Sequence, residues 1–281
     1  MIKRILCSSV ASLAVWGCTE NDQASPPPPP AAQVAPSRDL AGIELGERLS
    51  LHHVMNVANI TSTFESTFLG LVILEHPNDM WMIQEMITEI QPDVIIETGT
   101  LGGGSALYYA SILKEVNENG KVITIDIAPV VDEWIEKIKA TPHMHRRVEA
   151  LFRDRIEVIT SNSVDPKLVA DLAERVRGKR VMVMLDSCHN YEHVLKELEL
   201  YSPMVSVGSY IIVQDTIIDK GIAAGSQLMK EAAQCPGYEQ TGGPGKAATE
   251  FLAKNDNFEI DQSRERFFVS FFPSGYLKRI K

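Results

Sequence analysis

Residues 93–110 read DVIIETGTLGGGSALYYA. Val94, Ile95 and Ile96 form a short β-branched run, and Pro92 blocks any helix from continuing into it. Such a run fits a strand buried on both faces. Glu97 ends the strand, and Thr98 to Ser105 carries four glycines, Gly99, Gly102, Gly103 and Gly104. Glycine tolerates positive φ and lets backbone N–H groups come close to a ligand. Ser105 is the candidate N-cap of an apolar helix from Ala106 to Leu113. A strand, a glycine turn and a helix open the nucleotide-binding half of a doubly wound sheet.

The spacing separates the ligands. A phosphate-loop NTPase needs a Lys after its glycines, and none follows here. A dinucleotide fingerprint needs G-x-G-x-x-G, whereas this chain has E-x-G-x-x-G-G-G-S. An acid closing the strand repels a pyrophosphate but suits a cofactor that carries an amino group and a sulfonium. The turn therefore reads as an S-adenosylmethionine (SAM) site with Glu97, Gly99, Gly102, Gly103 and Ser105 as candidate binding residues. A purely structural turn is the competing reading.

The 281 residues are 44% hydrophobic and 23% charged, an ordinary soluble balance. The net charge of -10 disfavours a nucleic-acid partner. One local basic cluster, His143, His145, Arg146, Arg147, Arg153 and Arg155, reads as a solvated face. Contact with an anionic substrate or membrane surface is its alternative reading.

Residues 1–18 read as a leader. Lys3 and Arg4 precede an apolar stretch, Ile5 to Gly17, too short to span a bilayer comfortably. Val15, Trp16, Gly17 and Cys18 resemble a bacterial lipoprotein cleavage box, although Trp16 departs from the usual small residue. Cleavage would leave Cys18 as a lipid-bearing N-terminus anchored to a membrane. Residues 19–38 are a proline-rich linker containing Pro26 to Pro30, in polyproline II conformation. Residues 39–281 then make one large α/β domain. Cys188 and Cys235 could pair only if the fold brings them together, and no disulfide framework or zinc site is spelled out.

Along the domain, Leu40 to Leu74 reads as largely helical, a cap helix and a loop lying over the cofactor mouth, with His52 and His53 as surface or lid residues. Met80, Ile83, Ile87 and Ile90 recur at helical spacing, with Asp79 as the cap. Lys121 to Ile125 is a strand ended by Asp126, which is placed to accept hydrogen bonds from a ribose diol. Val131 to Leu151 is a helix broken at Pro142. The strand Arg155 to Thr160 is followed by Ser161, Asn162 and Ser163, small polar residues for an adenine or ribose edge. Asp165 and Pro166 open a helix running through Val176. Lys179 to Leu185 ends in Asp186, and Ser209 to Val213 ends in Gln214 and Asp215. Two strands thus deliver carboxylates to one rim. With an amide oxygen from Gln214 and waters, Asp186 and Asp215 would suit Mg²⁺ or another divalent cation. His189, three residues after Asp186, is within reach of a substrate proton. Gly242 to Lys246 is a flap or a helix-opening turn before the helix Ala247 to Ala253. Phe258 to Asp261 and Arg266 to Phe272 are predicted as a closing antiparallel hairpin, with Tyr276 to Lys281 as a basic tail. The fold class is α/β: a Rossmann-like, doubly wound, mostly parallel sheet of seven strands.

Three separated segments, DVIIETGTLGGGSALYYA, MLDSCHNYEHVLKELELYSPMVSVGSYIIVQDT and RERFFVSFFPSGYLKR, resemble the cephalosporin hydroxylase and rhamnosyl O-methyltransferase family in order. The resemblance covers roughly Phe68 to the C-terminus. It implies a class I SAM-dependent methyltransferase sheet, five parallel strands and a hairpin, and methyl transfer to a hydroxyl assisted by a divalent metal. It implies that Glu97, Gly99 and Gly103 form the SAM turn, Asp126 the ribose acid, and Asp186 and Asp215 the metal ligands. The family commonly has Glu where this chain has Gln214. The hydroxylase part of the family name finds no iron-binding facial triad here. The expected function is a metal-assisted O-methyltransferase acting on a small-molecule or sugar hydroxyl. The rival is a surface-anchored, non-catalytic small-molecule-binding protein that kept the fold. A nicotinamide oxidoreductase is a distant third. Self-association to a homo-oligomer stays open.

Overall fold

A computed structural model describes residues 45–52, 66–129, 131–140 and 145–281. The leader, the linker, His53 and Pro142 lie outside the described residues. Residues 45–52 are helical (α1). Within the stretch expected as a cap helix and a loop, residues 67–72 form a tight hairpin, β1 (Thr67–Phe68) and β2 (Leu71–Val72). Leu69 and Gly70 take positive φ between them, which a helix cannot accommodate. Helix α2 (Pro77–Ile90) follows, capped by His76 rather than Asp79. Asp79 points inward instead, and buries its carboxylate.

β3 (Val94–Thr98) is buried at every position, as its apolar run dictates. α3 (Gly104–Val116) starts one residue before Ser105, with Gly103 in the cap position at φ 75. Ser105 is therefore inside the first turn and does not cap the helix. β4 (Lys121–Asp126) leads to α4 (Val131–Ala140) and α5 (His145–Arg155), two helices where the sequence predicts one broken at Pro142. β5 (Ile156–Thr160), α6 (Pro166–Arg175), β6 (Val181–Leu185) and α7 (Tyr191–Tyr201) come next. Asp165 caps α6, accepting from Lys167 N and Leu168 N. β7 (Tyr210–Val213) is followed by the short helices α8 (Ile217–Ala223) and α9 (Gln227–Ala232). α10 (Pro244–Lys254) makes Gly242 to Lys246 a helix-opening turn. β8 (Phe258–Ile260) and β9 (Tyr276–Arg279) end the chain.

The seven-stranded sheet has the order β5-β4-β3-β6-β7-β9-β8, parallel except for β9. The order reverses between β3 and β6, the crevice where open α/β sheets bind ligands. Alternation along β3 feeds two cores. Ile95 packs with Met86, Leu107 and Trp134 on one face, and Val94 and Ile96 with Leu172, Leu198 and Phe251 on the other. Burial of this kind contributes about 25 cal/mol per Å² of apolar surface.

The second strand of the closing hairpin is β9, not Arg266 to Phe272. Phe268 takes φ 63, outside the β region, so that segment cannot run as a strand. It crosses α2 instead. Ser270 Oγ donates to Asp79 Oδ1 at 2.6 Å and Phe271 N to Asp79 Oδ2 at 2.7 Å. Arg266 pairs with Glu85. Tyr276 and Leu277, read as the start of a tail, are buried; Leu277 pairs with both β7 and β8.

Loops at the carboxyl ends of the strands are cross-linked. Cys188, after β6, and Cys235, after α9, form a disulfide with their Cα atoms 6.0 Å apart. Asn190 Nδ2 donates to Glu239 O at 2.9 Å across the same gap.

Two outcomes are expected. Burial pushes the Asp79 carboxyl up to about 6, although Ser270, Phe271 and Tyr276 all donate to it. A raised folded value means this group's contribution is fully present below the unfolded carboxylate range and is lost as pH rises through about 6. The unfolding free energy of the wild type minus that of Asp79→Asn should fall by on the order of 2 kcal/mol from pH 4 to pH 7. A flat difference in urea titrations would contradict it. Separately, Cys188→Ser with Cys235→Ser should lower the unfolding free energy by roughly 2–4 kcal/mol. A non-reducing peptide map should show the two cysteine peptides joined.

Candidate functional site

Backbone hydrogen bonds continue the sheet past its strands and align the rim. Gly99 N donates to Ile125 O at 2.8 Å, Asp186 N to Thr98 O at 2.9 Å, and Gln214 N to Leu185 O at 3.0 Å. Gly99 sits at φ +84, and a Cβ there would lie 1.9 Å from the Asp186 carbonyl oxygen. Only glycine lets the turn after β3 pass this close to the loop after β6. Between these two loops lies a cavity of about 580 Å³.

One end of the cavity is lined by Gly99, Leu101, Asp126, Ile127, Ser161, Asn162 and Ser163. Asp126 Oδ2 accepts from Thr100 N and Leu101 N, both at 3.0 Å, and Oδ1 accepts from Ala128 N at 2.9 Å. The carboxylate is thereby fixed with acceptor capacity to spare. Leu101 and Ile127 flank it, 58% and 77% exposed, large apolar side chains held at the mouth.

The other end is lined by Glu75, Asp186, His189 and Asp215. Asp186, His189 and Asp215 each offer a ligating atom, all within 4.8 Å of one another. His189 Nε2 is 3.3 Å from Asp215 Oδ2. Burial pushes the Asp186 carboxyl well above the ordinary range, and the charges of Glu75 and Asp215 push it the same way. Burial also raises Asp215, with His189 opposing the shift. Asp215 sits at φ 55, an uncommon conformation of the kind that collects at functional sites.

A buried polar network backs the wall between the two ends. Ser187 Oγ donates to Glu197 Oε1 at 2.7 Å, and His193 Nε2 lies 3.1 Å from Ser163 Oγ. His193 Nδ1 lies 3.2 Å from the Tyr238 hydroxyl, and the two rings meet edge to face. The Cys188–Cys235 cross-link lines the same cavity, beside Pro236 and Tyr238.

The predicted residues divide. Gly99, Asp126, Ser161, Asn162, Asp186, His189 and Asp215 share the cavity. Glu97, Gly102, Gly103 and Ser105 do not line it. Glu97 is fully buried behind the turn and accepts from Thr124 Oγ1 at 2.5 Å. Burial raises its carboxyl to about 7 against the hydrogen bonds from Ser105 and Thr124. Gly102 packs against Val72 and Gly103 against Trp134, so these two glycines serve close packing. Gln214 also departs from expectation. It is 1% exposed, its Nε2 lies 3.4 Å from the Tyr109 hydroxyl, and it is outside the lining. Its side chain turns into the core because Asp215, not Gln214, makes the left-handed turn toward the cavity.

Sequence reasoning missed Glu75, Ser187, His193 and Tyr238. Glu75 lies far in sequence from Asp215, and no local pattern links them. His193 and Glu197 were readable in one respect: a spacing of four places both on one face of α7.

Rhamnosyl O-methyltransferase of Mycobacterium bovis (strain BCG) is 32% identical over 171 residues, 60% of this chain and 63% of that protein. The Mycobacterium leprae protein of the same name is 30% identical over 154 residues, 54% of this chain and 60% of that protein. The match spans less than two thirds of the length of these curated relatives. A solved apo structure of CmcI superposes with a TM-score of 0.50 at 18% identity, over 77% of this chain and 76% of that one, a likeness of fold. The family model described as Rhamnosyl O-methyltransferase/CmcI matches residues 61–280, most of the chain and all of the sheet. The chain belongs to the Rhamnosyl O-methyltransferase/CmcI family.

Proposed function

We propose that this protein is a SAM-dependent O-methyltransferase, assisted by a divalent cation, that methylates a hydroxyl of a sugar or another small molecule. One observation carries the reading. A single cavity at the strand-order reversal joins a glycine turn and a fixed Asp126 to the cluster of Asp186, His189 and Asp215. The curated relatives, named rhamnosyl O-methyltransferases, favour a sugar hydroxyl as the acceptor.

The residues fit the cofactor. Gly99 leaves open a backbone cradle that a side chain would fill, and Asp126 faces the place of a ribose diol. Leu101 and Ile127 offer apolar surface to a flat base. SAM would supply a methyl group already activated by its sulfonium. The residues fit a cation as well, since Asp186 and Asp215 offer hard oxygen donors within a few ångströms. A bound divalent ion would lower the pKa of the acceptor hydroxyl. The chain's own part is to orient and to handle one proton. The buried network of Ser187, His193 and Glu197 stiffens the wall, which favours a fixed approach of donor to acceptor. Asp215 holds the His189 ring, leaving the imidazole placed to take the acceptor's proton.

A second reading draws on the N-terminus. The Val15–Cys18 pattern supports export and lipid anchoring, and the Cys188–Cys235 bond agrees, because disulfides persist in oxidising compartments. An exported chain would not ordinarily meet SAM, which favours the surface-anchored binding protein. Mass spectrometry of the mature N-terminus separates the cases: a diacylglyceryl Cys18 supports export, and an intact Met1 removes it.

Calorimetric titration is expected to give micromolar SAM affinity, and no detectable binding would favour the binding protein. Asp186→Ala should lower turnover by about 100-fold or more while SAM affinity stays near that of the wild type. Equal rates in EDTA and in Mg²⁺ would remove the cation from the mechanism.

A further inference from the structure

We propose that the turn Cys235–Tyr238 is the acceptor side of the cavity, and that Tyr238 selects the sugar by stacking on the apolar face of its ring. The assignment rests on the O-methyltransferase reading of the cavity.

The local sequence makes the turn. Tyr238 N donates to Cys235 O at 3.2 Å. Pro236 and Gly237 fill the two central positions, and Gly237 takes φ +88, as a type II turn requires. Three ties then hold the turn to the site. Its first residue is bonded to Cys188, in the loop after β6. Its last residue meets His193 of α7, with the ring centroids 5.3 Å apart, the planes at 89° and the hydroxyl 3.2 Å from Nδ1. Asn190, fully buried, grips both sides of the base: its Nδ2 donates to Ala233 O at 3.4 Å and to Glu239 O at 2.9 Å. The other ring nitrogen of His193 lies 3.1 Å from Ser163 Oγ and 3.2 Å from Ser187 Oγ, so the ring that holds Tyr238 is itself held. A four-residue turn keeps its own shape through its hydrogen bond. The ties fix where it stands against the cavity, which is pre-organisation toward a ligand.

Two observations turn this wall toward the acceptor. Cys188 is next in sequence to His189, the residue placed to take the acceptor's proton, so the disulfide brings the turn to the His189 side of the cavity. The cofactor end has apolar flanks of its own, Leu101 and Ile127, on the loops after β3 and β4. The second observation is chemical. Among the described residues that line the cavity, Tyr238 alone carries a benzene-type ring, and that side chain is only partly buried. Its hydroxyl is engaged by His193, so the ring is what it presents. A sugar ring carries hydroxyls at its rim and CH groups on its faces. A flat aromatic ring complements such a face, while a few polar groups elsewhere in the pocket meet the hydroxyls. Pro236, exposed beside it, extends the apolar wall.

The test is steady-state kinetics of the full chain with SAM and a panel of methyl glycosides of hexoses and deoxyhexoses, with SAM affinity measured separately by calorimetry. Tyr238→Ala should raise KM for the preferred glycoside about tenfold or more and flatten the preference across the panel, with kcat and SAM affinity within about threefold of wild type. Tyr238→Phe keeps the ring and loses the hydroxyl, and its KM should stay within about threefold of wild type. An unchanged glycoside KM in Tyr238→Ala overturns the proposal. SAM binding about tenfold weaker in Tyr238→Ala, with the glycoside KM unmoved, assigns the ring to the cofactor and overturns it as well. Tyr238→Phe as impaired as Tyr238→Ala makes the hydroxyl contact with His193 the determinant in place of the ring, and overturns the stacking role. A wild type that binds SAM but methylates no glycoside of the panel removes the sugar subsite and leaves the methyltransferase reading standing. A wild type that binds no SAM removes both.

Discussion

Carboxylates end four neighbouring strands of the sheet, and their mutual repulsion is the constraint around which the rest is arranged. Glu97 closes β3, Asp126 follows from β4, Asp186 from β6 and Asp215 from β7. Each is handled differently. Asp126 accepts from three backbone N–H groups, two in the loop after β3 and one in the loop after β4. Glu97 is buried behind the turn, where burial moves its carboxyl to about 7. Asp186 and Asp215 lie close together at one end of the cavity, where burial raises both carboxyls and only His189 opposes the shift of Asp215. That difference divides the cavity in two: a settled end, where backbone donors hold the carboxylate, and an unsettled end, where two carboxylates and His189 crowd together.

The glycine turn serves several needs at once. Gly99 permits positive φ and the close pass to Asp186 that sets the width of the crevice. Gly102 and Gly104 admit the β1–β2 hairpin, and Gly103 takes the left-handed cap of α3 against Trp134. A run of glycines at a strand end thus encodes ligand access at one position and backbone packing at three. Sequence alone does not distinguish these, because every one of them requires the same missing Cβ.

The parallel part of the fold was legible for a physical reason. Strands buried on both faces are continuous apolar runs, so VIIE, VITI and VMVML announce themselves, and their terminal acids follow. The site residues carried at those ends were legible with them: Gly99, Asp126, Asp186 and Asp215. What stayed hidden was held by distant contacts. Arg266 to Phe272 is rich in the aromatic residues that strands favour, but Ser270 Oγ and Phe271 N are claimed by Asp79 on α2, nearly two hundred residues earlier in the chain. Tyr276 and Leu277 look like a tail because only four residues of β9 carry the pairing. Glu75 and Tyr238 come from segments with no periodicity. They become part of the site only through tertiary packing and, for Tyr238, a hydrogen bond to His193 and a nearby cross-link.

That cross-link bears on where the protein can work. In a reducing cytosol the two thiols would stay apart, and the wall at 235–238 would depend on its other contacts. Those contacts are substantial. Asn190 Nδ2 donates to Glu239 O, Tyr191 N donates to Gly242 O at 3.0 Å, and His193 meets Tyr238 through both a hydrogen bond and its ring. The wall therefore has a noncovalent frame to which the disulfide adds a constraint on the unfolded chain. The settled end of the cavity, built on β3, β4 and β5, takes no part in this link. Redox state thus bears on the wall beside His189, while the cofactor end keeps its geometry from the sheet itself.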